Sequence, residues 1–302
     1  MTPSADSIVP LRHYGRWVAG AFVVGLVVLL VRAFARADID WAVVREFFMA
    51  PVLIAGLGNA LLITVLATTM GLVLGVAFAV MRLSRNPVTN AVAAAYIWLF
   101  RGTPVYLQLL IWFNLALVFP TVNLGVYQAN MVDVMTPFLA ALLGLGINEG
   151  AYMTEIVRGG ILSVDRGQLD AASALGMTRL LAMRRIVLPQ ALRVVVPPIG
   201  NEFIGLLKTS SMASAIAFSE LLQRSQQIYF VNGKVIELLI VAAGWYLIVV
   251  TIFSVVQSQV ERLVARGQGH DEPPSWLGRL WRNIRTTRAD TDGVTAATGG
   301  TR

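Results

Sequence analysis

Long apolar runs dominate the chain, each bounded by short polar or arginine-bearing stretches. A helix needs roughly 20 apolar residues to cross about 30 Å of hydrocarbon. Six runs reach that length, at about 17–35, 57–81, 93–119, 136–158, 191–217 and 235–259. The first stands where a secretory signal would. Its apolar core is long and no small-residue cleavage site clearly follows, so it is read as an uncleaved span. Two segments depart from the pattern. Residues 39–50, "IDWAVVREFFMA", read as an amphipathic segment on the outer surface. Residues 167–191, "GQLDAASALGMTRLLAMRRIVLPQA", are too polar for a span and too patterned for a plain loop.

Composition agrees with an integral membrane protein. Only 14% of residues are charged and the mean hydropathy is +0.68, against about 25% charged in soluble domains. With no cysteine, disulfide and thiol chemistry are excluded. The two histidines, His13 and His270, lie near polar ends, which argues against a histidine-based metal or catalytic centre. In a chain this apolar, the net charge of +7 reflects arginine in cytoplasmic loops and implies no nucleic-acid partner. With the N-terminus inside, inner segments hold sixteen Arg or Lys and outer segments hold four. The expectation is therefore that both termini and the 167–191 stretch are cytoplasmic.

Residues 275–288 place Trp276, Leu277, Leu280, Trp281 and Ile284 on one helical face and Arg279, Arg282 and Arg285 on the other. An interfacial helix on anionic membrane lipid and a solvated basic tail both fit. Residues 289–302, rich in Thr, Ala and Gly, are expected to be disordered.

The cytoplasmic stretch reads as two short helices joined at a corner. Helix signals run from Gln168 to Leu175, and Gly176 suits a left-handed helix end. Thr178 can cap a second helix over Arg179–Val187, and Pro189 suits the first turn of the next span. Ala171, Ala172 and Ala174 offer a small-residue surface for close approach. Asp170 is placed near the first helix's N-terminus, where a carboxylate is favoured.

The spacing Asp170-Ala171-Ala172, Gly176, Ile186, Leu188-Pro189 resembles the EAA loop of ATP-binding-cassette importer permeases. Five elements match in register, with Asp170 in place of the usual Glu. "FRGTPVYLQLL" (100–110), "NEGAYMTEIVRGGILSV" (148–164) and "GNEFIGLLKTSSMASAI" (200–216) are similar to the polar amino-acid subfamily of these permeases. The resemblance covers roughly 55–262. It implies an all-α, MetI-like transmembrane bundle of about six spans, a five-span core plus an extra N-terminal span. It further implies a pore shared with a second permease subunit, in a homo- or heterodimer. An ABC ATPase dimer would dock inside on the loop, and an extracytoplasmic solute-binding protein would dock outside. ATP and Mg are then expected on the partner ATPase, with no cofactor or metal on this chain. The implied location is the bacterial cytoplasmic (inner) membrane.

Three segments follow: 1–54, an N-terminal segment with the extra span and outer amphipathic stretch; 55–262, the permease domain with its coupling loop at 163–190; and 263–302, a cytoplasmic tail. Gly233-Lys234 is followed by Val235 and lacks the glycine spacing of a phosphate-binding loop, so this chain is expected not to hydrolyse ATP.

Polar residues within spans face protein or water, because charge at membrane depth is costly. Asn148, Glu149 and Glu155 fall in the fourth span, with Asn148 and Glu155 seven apart on one face. Asn201 and Lys208 share a face of the fifth, with Glu202 beside them, after a Pro197-Pro198-x-Gly200 stretch that is expected to kink or open the helix. Pathway lining, direct contact with an amino acid's ammonium and carboxylate, and structural pairing are all open to these six. Arg101, beside a helix break at Gly102 and Pro104, either pairs with a carboxylate or anchors to headgroups. Gly71 and Gly75 have spacing for close helix packing. A secondary transporter is the alternative function. It is disfavoured by the lack of an evident internal repeat and by the purposeless corner it would leave in the loop. A membrane enzyme would need a nucleophile–base pair or metal cluster, and the chain offers neither.

Overall fold

The computed structural model describes residues 14–123, 125 and 128–265. The tail expectations for 275–288 and 289–302 lie outside these residues. The described chain is helical apart from a short hairpin, β1 (Thr121–Asn123) against β2 (Gln128–Asn130).

The apolar runs form α1 (Tyr14–Arg36), α3 (Pro51–Arg82), α4 (Pro87–Gly102), α5 (Val105–Phe113), α7 (Pro137–Leu162), α10 (Leu188–Thr209) and α12 (Val235–Ala265). Shorter helices are α2 (Trp41–Phe48), α6 (Met131–Val134), α8 (Arg166–Ala174), α9 (Arg179–Ala182) and α11 (Leu221–Asn232). Proline opens α3, α4 and α7 at their first residue, where its missing N–H costs nothing.

Among the described residues, three helices are long and apolar enough to cross a membrane by length and composition: Trp17–Arg36, Pro51–Arg82 and Val235–Val264. The 26-residue α7 and 22-residue α10 have the length, at about 39 and 33 Å. Their apolar character is interrupted by the polar residues they carry inward. The run expected over 93–119 is broken at Thr103-Pro104 into α4 and α5, of 16 and 9 residues, as Gly102 and Pro104 suggested.

α7 lies at the centre. Gly71 of α3 meets Glu149 and Gly150, and Gly75 meets Met153 and Thr154. The register advances the same way on both helices, so α3 and α7 run parallel, with α4 and α5 returning between them. The spacing expected to allow close packing does so here. A Cβ on Gly71 would lie 2.8 Å from Glu149 Cγ, and one on Gly75 would lie 2.9 Å from the Met153 carbonyl carbon. Leu109 of α5 packs on Gly144, and Val195 of α10 on Gly160. One core cluster gathers Ile63, Ala67, Leu109, Leu145, Leu206 and Ile216.

α10 and α12 run antiparallel, with Gly200 facing Gln257 and the Phe203 ring tilted against Phe253. Helix α10 is continuous through Pro197 and Pro198, so it is not opened there. Gln257 Nε2 donates to Pro197 O at 2.8 Å, across a gap that Gly200 leaves free of side chain.

The 39–50 segment forms α2 as expected, but it packs on α12 and does not merely lie on a surface. Asp40 caps it, accepting from Ala42 N and Val43 N. Asp40 Oδ2 pairs with Lys234 Nζ at 3.2 Å, and Asp40 N donates to Glu237 Oε1 at 3.0 Å. The lysine hydrogen bond holds the Asp40 carboxyl below its ordinary value, and the same bond raises Lys234. Trp245 Nε1 donates to Phe48 O at 2.7 Å, and the two rings stack.

The glycine seam predicts that Gly75→Ala destabilises the protein by about 1–3 kcal/mol through overpacking. The thermal midpoint in detergent should fall. Gly58→Ala, at a site with nothing within 4 Å, should leave it unchanged. Equal midpoints for the two variants would contradict the seam.

Candidate functional site

Two places gather the residues singled out by sequence. The first is the loop between α7 and α10. α8 starts at Arg166, two residues earlier than expected, because Asp165 caps it and accepts from Gly167 N at 2.6 Å. Asp170 is consequently the fifth residue of α8, and the first turn holds no acid. The N-terminal carboxylate expected at Asp170 is supplied by Asp165, an Asp before a helix that sequence reading passed over.

Gly176 adopts φ +75°, so a β-branched residue there would be strained. Met177 N donates to Ala172 O and Gly176 N to Ser173 O, both at 3.0 Å, closing the glycine corner. Thr178 Oγ1 accepts from Leu181 N at 3.3 Å and caps the second helix as expected. That helix is short. α9 ends at Ala182 and a π turn, Met183–Val187, leads without a break into α10. Val187 packs with Val164 and Ala191.

Ala172 is buried, whereas Asp170, Ala171, Ala174 and Gly176 are exposed. The small-residue surface is therefore split between an inner and an outer side. Ile186 is half-buried, and Leu188 and Pro189 are exposed in the first turn of α10. Leu175 and Leu180 flank the corner at 82% and 80% exposure, an apolar pair the sequence reading did not single out.

The second place is a cavity of about 490 Å³ at the break between α4 and α5. Its charged and polar lining includes Arg101, Thr103, Asn148, Glu149, Tyr152 and Glu202. Glu149 is 4% exposed, and its Oε1 is buried with no hydrogen-bond partner. The Arg101 guanidinium lies over the Tyr152 ring, 4.9 Å from its centre. Arg101 thus faces the cavity with two carboxylates, a placement different from headgroup anchoring.

Of the six candidates, the cavity brings together Asn148, Glu149 and Glu202. Glu155 instead binds Arg158, with Oε2 2.6 Å from Nη2. Asn201 is exposed and donates to Glu261 Oε1 at 3.4 Å, and Lys208 is exposed outside the lining. Seven residues span about 10 Å along a helix, so a shared face does not put both members in one cavity.

Asn148 Nδ2 donates to Phe100 O at 2.7 Å and to Gln108 Oε1 at 3.2 Å. Its amide hydrogens serve the protein's own framework. Gln108, Tyr152 and Thr103 were missed, although Gln108 stands out as the polar residue in "VYLQLL". Among the described residues, no cluster of His, Cys, Asp and Glu could hold a metal.

Comparison with known proteins gives four findings. A family model described as "binding-protein-dependent transport system inner membrane component" matches residues 71–266. The arginine transport system permease protein ArgU of Corynebacterium glutamicum is 42% identical over 261 residues, covering 85% of this chain and 83% of that protein. A crystal structure of an amino acid ABC transporter with histidines has a TM-score of 0.67 at 36% identity, covering 75% of this chain and 99% of that one. The inward-facing MetNI methionine ABC transporter, at 22% identity, has a TM-score of 0.60 and shares the fold. These likenesses favour an ABC permease over a stand-alone secondary transporter. Helical architecture, apolar spans and the 71–266 match together place this chain in the family of inner-membrane components of binding-protein-dependent transport systems, as a multi-pass permease of MetI-like fold.

Proposed function

We propose that this chain forms the translocation path of an ATP-driven importer for polar amino acids. The observation that carries the reading is the cavity at the α4–α5 break. Its volume suits a small molecule, and it presents one guanidinium and two carboxylates. Arg101 is matched to a substrate carboxylate, and Glu149 and Glu202 to ammonium groups. The surplus carboxylate favours a substrate with a second cationic group, in keeping with the arginine transport named for the Corynebacterium relative.

Six spans with both termini inside complete the reading, with α4 and α5 together making one crossing. The loop from Asp165 to Pro189 then faces the cytoplasm. There Asp170, Ala171 and the exposed Leu175 and Leu180 contact a separate ATPase dimer, where ATP and Mg reside. A solute-binding protein delivers substrate from outside, and a second permease subunit completes the pore. Nucleotide-driven movement of the loop biases the spans between inward- and outward-facing states.

Two outcomes check this. In vesicles holding the full complex with its binding protein, uptake should require ATP and favour cationic amino acids in a mixed panel. Glu149→Gln should cut that uptake about 10–100-fold, the loss of a charge-assisted contact. Concentrative uptake without ATP by this chain alone would support the secondary transporter instead. For the loop, Gly176→Val should abolish uptake or co-purification of the ATPase while the chain still inserts, since φ +75° strains a β-branched residue. Unchanged uptake would remove the docking role.

A further inference from the structure

Pro104 has no N–H for the carbonyl of residue 100, which an unbroken helix would have satisfied. Within a membrane such a carbonyl must find another donor. Phe100 O receives two, Asn148 Nδ2 at 2.7 Å and Gln108 Nε2 at 3.0 Å. Gln108 Nε2 also reaches Thr103 O at 3.1 Å and Thr103 Oγ1 at 2.8 Å. Its Oε1 accepts from Asn148 Nδ2 at 3.2 Å. The two amides tie the end of α4, the start of α5 and the middle of α7 into one network. Gln108 is 6% exposed and stands behind the cavity wall, not in its lining.

Arg101 lies within this frame, between the two braced carbonyls of Phe100 and Thr103. We propose that Gln108, acting with Asn148, is a positioning residue that holds the α4–α5 break in register and thereby sets where Arg101 meets the substrate. Gln108 touches no substrate itself. Its effect passes through residues 100–103. The inference rests on the reading of the cavity as the amino-acid site.

Gln108→Met keeps the volume and removes every donor. L-Arginine uptake by the full complex in vesicles should show KM raised at least fivefold, with maximal rate and yield of assembled complex within twofold. A purely structural role would lower yield and maximal rate at constant KM, and that result overturns the proposal, as does an unchanged KM. If Gln108→Met does not assemble, Pro104→Ala is added, supplying an N–H that reaches the Phe100 carbonyl once α4 extends through residue 104. Restored assembly with KM still raised supports the positioning role. Failure to restore assembly, or a wild-type KM, overturns it. Arg101→Met separates the two layers. If it leaves arginine uptake unchanged, the cavity reading fails and takes the proposal with it. If Arg101→Met impairs uptake and Gln108→Met does not, only the positioning role fails.

Discussion

The closest approach of α3 to α7 governs the rest of the molecule. Gly71 and Gly75 remove two side chains from α3 where α7 passes, and the backbones close to a distance that no Cβ would permit. That closeness creates the notch in which the Glu149 side chain is buried. It also fixes two parallel crossings, so the α4–α5 segment must return between them. α7 then supplies further glycines to α5 and α10, and most of the interior is organised around this one helix.

A second constraint acts at the same depth. Backbone and side-chain polar groups in hydrocarbon must be satisfied by protein or by a water-filled cavity. The chain meets this in two ways. Where Pro104 interrupts a helix, buried amides from Gln108 and Asn148 take over the bonding. Where Glu149 has no partner on one oxygen, a cavity lies alongside. The contrast separates framework from working surface. Polar groups that find protein partners hold the helices together, and Glu149, with one buried oxygen left without a partner, lies in the cavity wall.

Much of the loop was legible in the sequence, because glycine corners, caps and N-terminal prolines act locally. Gly176, Thr178 and Pro189 behave as their residue types dictate. Asp165 was equally readable as a cap, whereas the place of Asp170 depends on where α8 begins. The break between α4 and α5 was visible in Gly102 and Pro104. The cavity was not, since membership depends on how α4, α7 and α10 are rotated against each other. Periodicity placed Asn148 with Glu155, and Asn201 with Lys208, along single helices. Packing joined Asn148 to Glu149 and Glu202 across two. Nor did composition foretell that Pro197 and Pro198 would leave α10 continuous, with Gln257 arriving from α12.

The π turn at Met183–Val187 joins the loop to α10 without a flexible joint. Such a turn holds one residue more than an α-helical turn, and one residue is worth about 100° of rotation. The count of residues between Gly176 and Glu202 is therefore an angular setting as well as a length. Adding or removing a single residue there would turn Glu202 away from the cavity and Gln190 away from its contact with Gln168. The loop and the cavity are held in phase with one another by counting.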